Sequence, residues 1–137
     1  MDPEITRRAS CSCGQLVLTC RGEPLPRVSI CHCHACQRRT GAPFGWQVRY
    51  PHDAVSATGE ATRYRHAGDS GRFADFRFCP RCGSTVWWTM ERDPDLVVVA
   101  AGAFADQTLP PPIVEVYTGR QHAWTAMPAL ADIEHFA

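Results

Sequence analysis

Apolar residues in this chain fall in short runs with strand spacing, and few recur at the three-to-four-residue interval of an amphipathic helix. Residues 15–20 have strand composition with imperfect alternation. Segments 27–30, 44–50, 61–65, 72–78 and 85–89 read the same way, and the uneven spacing of Phe73, Phe76 and Phe78 points to a bulge or a wet face. Residues 96–101 form a continuous valine-rich run, the pattern of a strand buried on both faces. At 113–117, Ile113, Glu115 and Tyr117 alternate with Val114 and Val116. Turn-forming residues separate the runs at 23–24, 50–53, 68–71, 93–95 and 110–112. Helical signal is confined to 35–40, one or two turns stopped by Gly41, and to a short turn within 127–137. No repeat, low-complexity stretch or linker divides the chain, so residues 1–137 read as one mainly β domain with little helix.

Composition sharpens this picture. Eleven prolines and ten glycines suit many short strands joined by tight loops. The 14 basic residues, all arginine, balance 14 acidic ones. A neutral chain without a basic stripe lacks the cations that displace phosphate counterions, which argues against a nucleic-acid partner. It argues equally against an acidic membrane surface. Residues 1–10 carry Asp2, Glu4, Arg7 and Arg8 and no apolar segment, so no secretory leader is expected. The longest apolar run is too short to span a bilayer. A cytoplasmic location follows as the expectation, with thiols kept reduced.

That matters because seven of the eight cysteines are clustered: Cys11 and Cys13 before Gly14; Cys31, Cys33 and Cys36 interleaved with His32 and His34; Cys79 and Cys82 before Gly83. Reduced cysteines at such gaps read as metal ligands, most simply for zinc. A CxxC turn brings two sulfurs to one ion, and the strand-like residues after Cys82 disfavour a redox motif, which opens a helix. The CxC pair must bend to do the same, and Gly14 permits that bend. Two such pairs supply four thiolates and close a tetrahedral structural site. Cys31, Cys33 and Cys36 then make a three-thiolate set with an open position, the pattern of a reactive zinc. Spacing alone leaves other pairings open, and His32 or His34 could close the second site. Cys20, alone on a strand, reads as a small buried hydrophobe.

The order CxCG, CHCxxCxxxTG, FCxxCGS, followed by His122 and Trp124, resembles the glutathione-dependent formaldehyde-activating enzyme family over nearly the whole chain. The resemblance implies a β-tent fold of small antiparallel sheets stapled by zinc. It implies that Cys11, Cys13, Cys79 and Cys82 hold a structural ion and that Cys31, Cys33 and Cys36 hold a second. It also implies carbon–sulfur lyase chemistry, forming S-hydroxymethylglutathione from formaldehyde and glutathione. A three-thiolate zinc is soft and suits a thiol as its fourth ligand. His34 or His32 would relay the proton.

Around that cluster, Arg38 is the candidate carboxylate clamp, whereas Arg39 is expected on a solvated helix face. Gln37, Thr40 and Ser84 are candidate hydrogen-bonding partners of a peptide-like thiol, or orienters of the sulfurs. Trp46, Trp87, Trp88 and Trp124 are expected chiefly in the core, with Trp87 and Trp88 on opposite faces. The competing class is a non-enzymatic interaction module in which both zinc ions are structural.

Overall fold

A computed structural model describes residues 4–68 and 70–137. Residues 1–3, the start of the segment read for a leader, and Asp69, in the predicted 68–71 turn, lie outside the described residues. The described residues form eleven strands and one α-helix: β1 (Thr6–Ser10), β2 (Val17–Arg21), β3 (Ser29–Cys31), α1 (His34–Thr40), β4 (Gly45–Pro51), β5 (Val55–Thr58), β6 (Thr62–Ala67), β7 (Phe73–Phe78), β8 (Thr85–Met90), β9 (Asp93–Ala100), β10 (Val114–Val116) and β11 (Glu134–His135). Short 3-10 turns fill several of the connections.

The strands make two sheets, one of three strands in the order β1-β2-β5 and one of eight in the order β11-β10-β3-β4-β9-β8-β7-β6. Pairing is antiparallel except around β10, which runs parallel to both β3 and β11. This departs from the all-antiparallel expectation. The reason is topological: the long connection after β9 returns the chain to β3 from the far edge, running in the same direction.

The small sheet covers one face of the large one. Ala9, Leu16, Leu18 and Cys20 meet Val48, Tyr50, Val86, Val97 and Val99 in a single core. Even-numbered residues of β2 point inward, so the imperfect alternation in the sequence reflects Val17 sitting half-buried on the other side. Val97, Val98 and Val99 are all buried, as their continuous run predicts. Cys20 is a fully buried core thiol, and burial pushes its pKa up to about 12.

Three strands, β1, β5 and β11, escaped the hydrophobic pattern, and the start of β9 did too. In β1 the inward residues are Ala9 and, unexpectedly, Arg7, which is buried at 6 % exposure. Its guanidinium is satisfied by Glu23 at 2.8 Å, Asp106 at 3.2 Å and the Thr108 carbonyl at 3.2 Å. The predicted turn at 93–95 is instead the start of β9. Register jumps from Thr89↔Val97 to Met90↔Asp93, so Pro94 and Asp95 lie in a bulge where no partner demands the proline's missing N–H.

Candidate metal centre

Each cysteine pair is carried by a tight turn at the end of a strand. Cys11 donates its N–H to the Leu16 carbonyl at 3.0 Å, and Gly14, at φ 85°, donates to the Cys11 carbonyl at 3.1 Å. The second pair repeats this scheme. Cys79 N–H reaches the Ser84 carbonyl at 3.0 Å, and Gly83, at φ 79°, donates to the Cys79 carbonyl at 2.8 Å. The left-handed glycines are what let the backbone fold back under the sulfurs.

Both turns converge on one point. Cys11 Sγ lies 3.6 Å from Cys13 Sγ, and Cys13 Sγ lies 3.7 Å from Cys79 Sγ. All four sulfurs fall within 4.8 Å of one another. Zn–S bonds of about 2.3 Å in a tetrahedron require sulfurs about 3.8 Å apart, so the donor set and its spacing fit that ion. Backbone N–H groups of Leu16 and Arg81 reach the sulfurs of Cys11 and Cys79 at 3.3 Å each. Ser84's hydroxyl, 3.5 Å from Cys82 Sγ, and backbone N–H groups hold the Cys82 thiol down at about 5. These donors stabilise thiolates, the form a metal takes up. Gln15 contributes a support that sequence reading missed. Its side-chain amide donates to Cys79 Sγ at 2.9 Å and to the Glu60 carbonyl at 2.8 Å, while its Oε1 accepts from Glu60 N at 2.8 Å.

Cys31, at the end of β3, and Cys33 and Cys36, flanking the first turn of α1, form a second group with sulfurs within 4.8 Å. Cys33 is the helix N-cap, its sulfur accepting from Cys36 N at 3.3 Å. The neighbouring thiols of Cys31 and Cys36 pull the Cys33 pKa far down, whereas Cys31 is driven up by the thiolate beside it. Three sulfurs gathered this closely are a donor set suited to a thiophilic cation. No fourth His, Cys, Asp or Glu joins this group among the described residues.

The helix runs as predicted and ends at Gly41, φ 66°, whose N–H returns to the Gln37 carbonyl at 2.8 Å. Its polar residues divide sharply. His34 and Arg38 are exposed. Gln37 spends its amide inside the fold: Nε2 donates to the His32 carbonyl at 2.8 Å and the Arg120 carbonyl at 3.2 Å, and Oε1 accepts from His122 Nε2–H at 2.9 Å. Thr40 donates to the Cys36 carbonyl at 2.8 Å and accepts from Ala42 N at 3.1 Å, closing the helix end. Ser84 belongs to the four-cysteine turn, 2.9 Å from the Ser12 hydroxyl.

His32 takes no part in either sulfur cluster. It is fully buried, its Nε2–H donating to Glu115 Oε1 at 2.9 Å and its ring edge-on to Phe44. Glu115, 2 % exposed, also has His135 Nδ1 3.0 Å from its Oε2, while the His135 ring donates from Nε2 to the Leu130 carbonyl at 3.0 Å. In the sequence Glu115 shares the alternating face of Ile113 and Tyr117; only the parallel pairing of β10 with β3 shows why an acid is buried there.

Arg39 is not solvated as expected. Its guanidinium stacks 4.4 Å from the Trp88 ring and 5.8 Å from that of Phe76, and Nη2 is buried without a hydrogen-bond partner. Gly45 makes room for it: a Cβ there would lie 2.9 Å from Arg39 Nη2 and 3.3 Å from Cys36 Sγ. Of the tryptophans, Trp46 and Trp87 pack against the main core and Trp88 is buried with Arg39, but Trp124 is 75 % exposed beside His122.

A two-sheet β protein with one four-sulfur and one three-sulfur cluster, each able to hold a metal ion, defines the class. Residues 6–120 match the family model described as glutathione-dependent formaldehyde-activating enzyme, and the chain belongs to that family. A crystal structure of a Rhodobacter sphaeroides protein superimposes with a TM-score of 0.59 at 16 % identity, covering 95 % of this chain and 99 % of that one. That likeness supports the fold alone. A search of curated proteins found no match. Among the described residues no helix is long and apolar enough to cross a membrane.

Proposed function

We propose that the protein is a zinc-dependent carbon–sulfur lyase that joins a small thiol such as glutathione to formaldehyde or a related aldehyde, and catalyses the reverse cleavage. The carrying observation is the unequal donor count: four sulfurs in one cluster, three in the other. Cys11, Cys13, Cys79 and Cys82 would hold a structural zinc, stapling the edge of the small sheet to the end of β7 in a β-tent arrangement. Cys31, Cys33 and Cys36 would hold the second. Bound there, zinc supplies a thiophilic Lewis acid that favours the deprotonated form of an incoming thiol.

The remaining work falls to side chains. His34, exposed one residue from Cys33, accepts the proton from the thiol S–H. A C–S bond forms as the sulfur lone pair attacks the aldehyde carbon, the carbonyl π pair moves to oxygen, and His34 returns the proton to that oxygen. The product is the S-hydroxymethyl adduct, with no oxidant or reductant consumed. His32, locked to Glu115, is a positioning residue that braces the loop between the ligands. Gln37 and Thr40 position the helix, Ser84 steadies the thiolates beside it, and Arg38 stands exposed on the solvent side of α1.

A second reading, a zinc-stabilised interaction module, draws on the exposed apolar residues Trp124, Met127 and Phe136 of the C-terminal segment. Exchange spectroscopy of glutathione with labelled formaldehyde on the zinc-loaded protein separates the two. Acceleration above the spontaneous addition, lost in Cys33→Ser with the fold intact while Cys82→Ser unfolds the chain, is the expected outcome. No acceleration, or equal unfolding in both variants, overturns the lyase reading.

A further inference from the structure

A cleft of about 640 Å3 is bounded by the Cys11 turn, the Gly83–Ser84 turn, the end of α1 and the 3-10 turn after β9. Its wall holds no carboxylate; Arg39 is its one fixed charge, and Ser10, Ser12 and Ser84 add hydroxyls. Two buried donors in that wall make no hydrogen bond within the protein, Arg39 Nη2 and Trp46 Nε1. An arginine stacked on two aromatic rings and paired with no acid among the described residues presents a rigid, desolvated fork. Such a group is costly to bury and is satisfied by an anion.

We infer that this cleft is a carboxylate subsite, with Arg39 rather than Arg38 as the clamp and the Trp46 indole N–H as second donor, so that the protein selects acidic thiols over neutral ones. The placement suits a ligand held at both ends. Arg39 Nη2 and Cys36 Sγ both neighbour Gly45 of β4, so the clamp and the three-sulfur cluster stand side by side. The inference takes its ligand class from the thiol chemistry proposed above, but the cleft itself is independent of the metal.

The test uses S-methylglutathione, which keeps both carboxylates and cannot ligate a metal as a thiolate. Calorimetry on the full zinc-loaded chain should show it binding at least about tenfold more tightly than its diethyl ester, the loss expected when a charged hydrogen bond goes unmade. Arg39→Met, which keeps the packing over Trp88, should erase that ratio, and Arg39→Lys should restore part of it. Trp46→Phe should weaken the acid and leave the ester unchanged. Equal binding of acid and ester by the native protein overturns the inference without any variant having to fold. So does a ratio removed by Arg38→Gln and kept by Arg39→Met, or inorganic phosphate binding as tightly as S-methylglutathione. Arg39-dependent binding of S-methylglutathione, together with no catalysis on glutathione, would sink the lyase reading and leave this one standing.

Discussion

Truncating Glu115 to alanine should cost the protein about 3–4 kcal/mol. The carboxylate is 2 % exposed, accepts a hydrogen bond from His32 at 2.9 Å and has the His135 ring nitrogen 3.0 Å away. A buried donor left without its acceptor costs its full desolvation, because the group left behind is stranded away from water. His32, fully buried, loses its acceptor outright, which accounts for about 2–3 kcal/mol. His135 has a side chain 40 % exposed and keeps its own hydrogen bond to the Leu130 carbonyl, so its share is about 1 kcal/mol or less. Set against a total stability of about 5–15 kcal/mol, the loss should lower Tm by about 10–15 °C. Circular dichroism of thermal and urea unfolding at fixed metal content measures it. Glu115→Gln, which keeps one acceptor, should fall between wild type and Glu115→Ala, while His135→Ala should cost about 1 kcal/mol or less. A Glu115→Ala loss under about 1 kcal/mol would refute the reasoning, and so would His135→Ala matching it.

Two further outcomes follow from the fold. Gly59 sits at φ 94°, and a Cβ there would run into the Gln15 carbonyl, whose side chain buttresses Cys79; Gly59→Ala should cost about 2–4 kcal/mol and loosen the four-cysteine cluster, read as lowered Tm with faster cobalt exchange, whereas an unchanged Tm would refute it. Thr108's hydroxyl and backbone N–H, with Arg7, hold the Asp106 carboxyl below its ordinary range. A depressed folded pKa contributes stability that is present above the unfolded value of about 3.9 and lost as pH falls through the folded one. Asp106→Asn should therefore flatten the acid limb of urea midpoints between about pH 5 and 2; parallel limbs in variant and wild type would contradict this.

Much of this was legible in the residues because cysteine spacing and strand alternation are local signals. Gly14 and Gly83 announced left-handed turns under CxC and CxxC pairs, and the valine run of β9 announced a doubly covered strand. What stayed hidden depends on partners distant in sequence. Arg7 looks like a surface charge until Glu23, Asp106 and Thr108 gather round it, so β1 carried no apolar face to recognise. Arg38 and Arg39 are indistinguishable as letters; the helix turns one outward and lays the other across Trp88, a residue of β8. Gln37 and Thr40 looked available for ligand because nothing local revealed that their hydrogen bonds go to the 120–122 segment and the helix end. His32 sat between two ligand cysteines, yet its acceptor is on β10.

The two sulfur clusters differ in how much chain must exist before they can be assembled. All donors of one lie within six consecutive residues, whereas Cys13 and Cys79 of the other are 66 residues apart. During synthesis at about 5–20 residues per second, the compact set is complete several seconds before the last sulfur of the dispersed one emerges. With ions bound as proposed, capture would be ordered from the N-terminal half outward, and the dispersed cluster would close as a late folding event. A nascent chain in metal-poor surroundings would stall with its small sheet undocked and its core valines open to aggregation.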